Sequence, residues 1–389
     1  MNNNYSLDLS ILPKELKLLL EILDIENYYK SEIFINESVK DIDWEVFLQL
    51  AIHHRVYPII YSKLKIIEEK LIPTHVIQTL NQEYKKNTFQ MLQLSAEMEK
   101  VSELFIKNQI PTLFLKGPVL AAELYGDISL RTSKDLDILI PINDLEKADK
   151  LLLSLGYEKG KFHNILNEWK WRNQHMEYFH PQKNIQLEIH WRLNPRPTKE
   201  PSFHTLWKRK RVSTVTSFPV YFLGEEDLFL YLVSHGARHG WFRLRWLLDI
   251  DKMIKKGIDF DKIIFVLKKY QSFHIAGQAI ILSSELLKTP INEKMRLLTV
   301  SNRSRTLAQA GVNFIKEMLP LQIITSSNTY KRYQFSLYSS YMQRIYSFIL
   351  WLYPSYFDAE TLKIPKSFHF LYFPLRPFLL AWRKIRKLT

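Results

Sequence analysis

Pro111-Thr112-Leu113-Phe114-Leu115-Lys116-Gly117-Pro118 and, a short helix later, Asp135-Leu136-Asp137-Ile138-Leu139-Ile140-Pro141 decide the fold. The first stretch is a short apolar run bounded by proline and glycine, which predicts a buried strand ending in a turn. Pro118 sits just inside the following apolar segment, where a helix loses nothing by its missing N–H, and Gly126 closes that helix after Tyr125. The second stretch alternates strictly. Leu136, Ile138 and Ile140 face one side of a strand, Asp135 and Asp137 the other, and Pro141 stops it. A helix from Asn143 to Leu155, closed by Gly156, follows.

Reading outward toward the C-terminus, Met176-Glu177-Tyr178-Phe179-His180 and Ile185-Gln186-Leu187-Glu188-Ile189-His190 flank the turn residues Pro181-Gln182-Lys183-Asn184. That is a hairpin pattern. From Gly224 to the end the pattern is helical. Toward the N-terminus it is helical too. Leu16, Leu19, Leu20 and Leu23 recur at helical spacing within Glu15–Tyr29, and Asp43 is placed to cap Trp44–Arg55. Leu80, Tyr84, Met91, Leu94, Met98, Val101 and Phe105 mark one long amphipathic helix from Thr74 to Asn108, a stripe of core residues. Strands and helices therefore mix only in the middle. The expected fold class is α+β: a small mixed-sheet core over 110–222, between a helical region at 1–109 and a helical region with a basic tail at 223–389.

The chain is 46% hydrophobic, enough apolar material for a large core, and its 10 glycines suit long helices rather than flexible linkers. It has no cysteine, which excludes disulfides, thiolate metal sites and cysteine nucleophiles and suits a cytoplasmic setting. Met1–Asp8 carries no basic segment leading into an apolar run, so no secretory signal is expected. Ile345–Phe357 is too short to span a bilayer and contains Pro354, so no transmembrane segment is expected either. A formal net charge of +14 admits a polyanionic partner, whether nucleoside triphosphate, nucleic acid or anionic lipid. Lys208-Arg209-Lys210-Arg211 and the acid-free stretch Lys363–Thr389 concentrate that charge, and a solvated or packed helix carries such clusters as well.

Two aspartates two residues apart on a strand share a face, with Cα atoms roughly 6–7 Å apart. Both can reach one hard cation, and magnesium favours such oxygen ligands. A solvated strand end also carries Asp-x-Asp, so the pair gains meaning only from its surroundings. Glu188 on the return strand adds a third carboxylate if the strands are neighbours, and His190 shares its face. Lys116-Gly117-Pro118 joins a strand to a helix start, where free N–H groups bind anions and glycine lets phosphate approach. Lys116, Arg131 and Lys134 supply positive charge. His235, Arg238 and His239 fall at i, i+3 and i+4 in helix-like spacing that runs on to Arg243, Arg245 and Asp249. This face either closes over a substrate or packs through Trp246, Leu247 and Leu248. His175, His190, His235, His239 and Arg243 are read as substrate-side residues.

Leu115-Lys116-Gly117, Leu124-Tyr125, Arg131 and Asp135-Leu136-Asp137-Ile138-Leu139-Ile140 resemble a family of uncharacterised bacterial nucleotidyltransferases of the DNA polymerase β-like superfamily. The resemblance continues through Leu187-Glu188-Ile189-His190-Trp191, His235–Trp241, Arg245–Asp249, Pro354 with Asp358, and Arg376-Pro377. It implies transfer of a nucleoside monophosphate from a triphosphate, ATP being the expected donor. Asp135, Asp137 and Glu188 would be ligands of Mg²⁺, with Mn²⁺ as a substitute. Lys116, Gly117, Arg131 and Lys134 would bind the nucleotide. The acceptor is a small molecule, a peptide, a protein or an RNA. Two rival readings stand beside it: a catalytically silent nucleotide-binding or interaction module, and an RNA-modifying, toxin-like transferase. The superfamily has Gly-Ser or Gly-Gly where this chain has Gly117-Pro118. Proline removes one N–H from the phosphate cradle and shifts the expected grip to Lys116 and Arg131.

Overall fold

The computed structural model describes residues 7–25, 39, 41–65, 72–160, 165–318 and 321–386. Its strands are β1 (Leu113–Phe114), β2 (Asp135–Leu139), β3 (Glu158–Lys159), β4 (His175–His180), β5 (Ile185–His190), β6 (Arg211–Ser213) and β7 (Val220–Phe222). They form a seven-stranded sheet in the order β3-β4-β5-β2-β1-β7-β6. β2 runs parallel to β5 and antiparallel to β1, which runs parallel to β7. The sheet is therefore mixed and flanked by helices on both sides in sequence, an α+β fold as the pattern predicts. The hairpin forms in the expected register, with His180 opposite Ile185 and His175 opposite His190.

Alternation sorts the two faces of the sheet. Leu136 and Ile138 of β2 and Ile185, Leu187 and Ile189 of β5 share a core with Met91, Leu94, Met98, Val101 and Phe105. Those five belong to the 34-residue helix Thr74–Lys107. Burying each such side chain contributes about 1.5–3 kcal/mol. Leu139, on the opposite face, joins a larger core that holds Leu16 and Leu19 near the N-terminus and Phe229, Leu247 and Ala279 near the C-terminus. The N-terminal helices thus pack with the C-terminal ones, and the face bearing Asp135 and Asp137 looks toward them. Asp43 caps helix Trp44–His53 as expected, accepting hydrogen bonds from the N–H groups of Glu45 and Val46 at 3.0 and 3.1 Å. The helix expected over Glu15–Tyr29 is Lys14–Asp24, and residues 26–29 lie outside the described set.

One expectation is corrected. The helical spacing from His235 to Asp249 belongs to two helices, Glu225–Arg238 and Leu244–Lys255. Gly240 adopts a left-handed φ of 63°, and the N–H of Trp241 returns to the carbonyl of Gly236 at 2.9 Å. This is a Schellman closure. The Trp241 ring then lies where a Cβ on Gly236 would come within 2.2 Å of it. In the tail, buried Asp358 pairs with Arg376 and with Arg383 at 2.8 Å, so part of its positive charge is neutralised internally. Among the described residues no helix is long and apolar enough to cross a membrane.

Candidate active site

The parallel pairing of β2 with β5 sets Asp137 opposite Glu188 and Asp135 opposite Gln186. Pairing of β5 with β4 adds Glu177 opposite Glu188 and His175 opposite His190. Paired residues share a face, so one side of three adjacent strands carries four carboxylates and two imidazoles. His190 Nε2 lies 3.1 Å from Asp137 Oδ1 and 3.2 Å from Glu188 Oε2. His175 Nε2 is 3.8 Å from Glu188 Oε2, at the more open edge.

Lys116 enters from the end of β1. The N–H of Leu115 bonds the Asp137 carbonyl at 2.9 Å, extending the ladder by one residue. That aims the Lys116 ammonium at Asp137 Oδ2, 3.0 Å away, with both side chains nearly buried. Burial works against the ammonium, but Asp137, Tyr231, Asp135 and Glu188 together outweigh it and keep Lys116 above the usual lysine range. Burial likewise opposes the Asp137 carboxylate, and Lys116 and His190 together hold its pKa well below normal. His190 is raised: burial pulls it down, and its hydrogen bonds to Asp137 and Glu188 pull it up further. Asp135 is pushed up, by burial first and then by the charge of Asp137. Gly117 turns the chain between Lys116 and the helix Pro118–Tyr125 with φ 81°, a conformation few L-residues adopt.

The helix Glu225–Arg238 covers this face. Tyr231 presents a buried hydroxyl without a hydrogen-bond partner among the described residues, and its pKa is raised by burial while Lys116 counteracts it. Arg238 donates to Gln174 Oε1 at 2.7 Å and approaches His235 Nδ1 at 3.2 Å. Beside it opens a cleft of about 450 Å³ lined by Arg172, Gln174, His175, Glu177 and Arg238, among others. Lys134 is exposed just before β2. Arg243 is half-buried and donates to the carbonyl of His53 at 2.5 Å.

Arg131 departs from the expected role. Its guanidinium is buried and bound in fork geometry by Asp249, Nε to Oδ1 at 2.8 Å and Nη2 to Oδ2 at 2.9 Å. The Tyr125 hydroxyl donates to the same Oδ1 at 2.8 Å, and Arg245 donates to Thr132 Oγ1 at 3.1 Å. With Nε and Nη2 engaged by Asp249 and Nη1 donating to the Thr132 carbonyl at 3.4 Å, Arg131 fastens the loop before β2 to the helix Leu244–Lys255 instead of gripping phosphate. Leu124-Tyr125, Arg131 and Arg245–Asp249, separate motifs in the sequence, meet here. His235 and His239 also sit differently from the substrate-side reading. Their rings are 4.7 Å apart and pack on Trp246, at 5.4 and 5.2 Å. Both are driven well below the normal histidine range, chiefly by burial, and stay neutral. Among the described residues, the metal-capable group is His175, Glu188 and His190, whose ligand atoms lie within 4.8 Å of one another.

The donor set suits a divalent cation. Asp137 and Glu188 are directly opposed, and Asp135 is half-buried, its pKa raised by burial and then by the charge of Asp137. A cation there would relieve that repulsion. These carboxylates lie on adjacent strands of a small mixed sheet, next to a Lys-Gly turn at a helix start. The chain belongs to the uncharacterised nucleotidyltransferase family, whose model matches residues 40–288. No curated protein and no solved structure matches the chain. The family match takes in the whole sheet and both flanking helical regions in part. It leaves out the tail, so Pro354, Asp358 and Arg376-Pro377 lie beyond it.

Proposed function

We propose that this protein transfers a nucleoside monophosphate from a nucleoside triphosphate, with ATP as the expected donor, to an acceptor that is a small molecule, a peptide or a protein. The reading rests on one observation above the others: β2 and β5 pair so that Asp137 faces Glu188, with Asp135 on the same face and Lys116 beside them. In the reaction an acceptor oxygen bonds to the α-phosphorus, the bond to the pyrophosphate oxygen breaks, pyrophosphate leaves, and the acceptor's proton passes to solvent. Asp135, Asp137 and Glu188 are the residues that would hold Mg²⁺ or Mn²⁺. The bound ion would supply positive charge where the transferring phosphoryl group and leaving pyrophosphate develop negative charge. Lys116 holds the charge of Asp137 in place, Gly117 leaves room for phosphate, and Lys134 adds a cation at the open end of β2. His175 and Arg238 line the cleft where the acceptor would lie. We assign the three regions 1–109, 110–222 and 223–389 as two helical flanks closing on a catalytic core, in a cytoplasmic setting.

A specific observation favours a second reading. Lys116 and His190 already occupy both oxygens of Asp137, as in an ionic cluster that needs no metal. A silent nucleotide-binding module would have this arrangement. Asp135→Asn separates the two. Removing a carboxylate raised by burial and by Asp137 relieves repulsion, so the variant should fold as stably as the parent or slightly more so. An active enzyme releases pyrophosphate from at least one of ATP, CTP, GTP and UTP with Mg²⁺ and its intended acceptor. It also gains about 2.7 kcal/mol of stability at a nucleotide concentration one hundred times Kd. The variant should lose both effects. Nucleotide-dependent stabilisation that persists in Asp135→Asn, with no pyrophosphate released by either protein, supports the silent module.

A further inference from the structure

The N-terminal helices bring to this site an arginine with no role in the reading above. Arg55 follows helix Trp44–His53 with a left-handed φ of 57°. The segment around it is pinned from the other side of the molecule. Arg243 donates to the His53 carbonyl at 2.5 Å, the Leu244 N–H to His54 Nδ1 at 3.3 Å, and the Arg245 N–H to the His54 carbonyl at 3.3 Å. Arg245 also reaches across to Thr132 Oγ1 at 3.1 Å. Three distant stretches of chain, around residues 55, 134 and 244, therefore meet at the Asp135 end of β2. The Gly117 turn is there too: a Cβ on Gly117 would lie 3.8 Å from the Asp135 carbonyl oxygen.

The charge gathered at this point is unbalanced. Arg55, Lys134 and Arg245 feel the carboxylate of Asp135, and these three cations and Arg243 repel one another. Asp249, the next acid, is committed to Arg131. The Arg55 guanidinium is half-buried and makes no hydrogen bond or ion pair to another described residue. Arg245 Nε is buried and unpartnered as well. Burial, then Arg243, lowers Arg55 to about 10; burial, then Arg131, lowers Arg245 to about 9. Contrast Lys116, whose charge is met by Asp137 at 3.0 Å. Half-buried guanidinium groups left without an anion cost stability, and a ligand carrying several negative charges removes that cost. The planar fork of arginine fits phosphate oxygens in pairs. Arg55 and Arg243 are recessed rather than spread along a surface, which fits a compact polyanion better than a nucleic-acid backbone.

We propose that Arg55, Lys134 and Arg243 bind the β- and γ-phosphates of the nucleoside triphosphate, with Arg245 holding Thr132 as the wall behind them. This rests on the nucleotidyl-transfer reading and deepens it. The phosphate grip passes from Arg131 to a residue of the N-terminal helical region, so that region completes the site.

The test uses the full chain and a ligand without a base, Mg²⁺ with inorganic tripolyphosphate, measured by calorimetry beside ATP and AMP. Arg55→Ala should weaken tripolyphosphate and ATP binding about ten- to hundred-fold, the loss of one charge-assisted hydrogen bond. AMP, which lacks the β- and γ-phosphates, should bind as before. Arg55→Lys, which keeps the charge but not the fork, should fall between. Arg55→Ala that binds tripolyphosphate as tightly as wild type overturns the inference, and so does a variant that loses AMP to the same extent. Wild-type protein that binds neither Mg²⁺–ATP nor Mg²⁺–tripolyphosphate overturns the nucleotidyl-transfer reading beneath it.

Discussion

Arg131→Met tests how the site is held together. In the sequence Arg131 reads as a phosphate ligand; in the fold it is the buried partner of Asp249. Removing it strips Asp249 of two hydrogen bonds at 2.8 and 2.9 Å and leaves a carboxylate with no exposed surface whose remaining hydrogen-bond donor among the described residues is the Tyr125 hydroxyl. Breaking a buried ion pair from one side costs about 3–5 kcal/mol, because the remaining charge has lost both water and counterion. Asp249→Leu should cost a similar amount by leaving the guanidinium unpaired. The double variant Arg131→Met/Asp249→Leu removes both charges. Its residual cost should be about 1–3 kcal/mol, mostly the unpaired Tyr125 hydroxyl. The coupling energy of the cycle should therefore be large and favourable. Urea denaturation of the four proteins supplies the numbers, and tripolyphosphate binding to the folded variants supplies the control. The reasoning fails if Arg131→Met unfolds at the wild-type midpoint while its phosphate affinity collapses. Arg131 would then face the ligand and not Asp249.

Two further outcomes follow from buried groups away from the carboxylates. His274 donates from Nε2 to the Leu337 carbonyl at 2.8 Å, and burial, then Arg303, lowers its pKa to about 4. Unfolded, it takes up a proton near pH 6.5, so its contribution is fully present above that pH and is lost as pH falls from 6.5 toward 4, by roughly 3 kcal/mol in all. His54, His235 and His239 are shifted in the same direction, each by burial first. Stability should therefore rise with pH over that window, and His274→Gln should make the rise shallower by about one proton; an unchanged slope would show that His274 does not stay neutral. Gly236→Ala places a methyl 2.2 Å from the Trp241 ring, and overpacking of this kind costs typically about 1–3 kcal/mol. A variant melting together with the parent would mean that the turn at Gly240 yields freely.

What the sequence settled by itself was local. The alternation of Asp135–Ile140 defines a strand with two chemically distinct faces, and β2 forms with Leu136 and Ile138 in one core and the aspartates opposite. The hairpin around Pro181–Asn184 and the long helix from Thr74 were legible for the same reason: their periods of 2 and 3.6 are set by backbone geometry within a few residues. β3, β6 and β7 were not, since strands of two or three residues show no period and exist only because a neighbouring strand bonds them. Lys116, Asp135, Asp137 and Glu188 could be picked out as charged residues of a kind that handles phosphate. Only β2–β5 pairing put Asp137 opposite Glu188, and only the fold showed that Lys116 and His190 already neutralise Asp137. Arg131 and Asp249 are 118 residues apart. Nothing in either neighbourhood distinguishes an arginine that will meet a phosphate from one that will meet a carboxylate. The same holds for Arg55, delivered to the site by helices that pack against the far end of the chain. A side chain's type is written in the sequence, but its electrostatic partner is chosen by tertiary packing, because charges interact through space and burial decides how strongly.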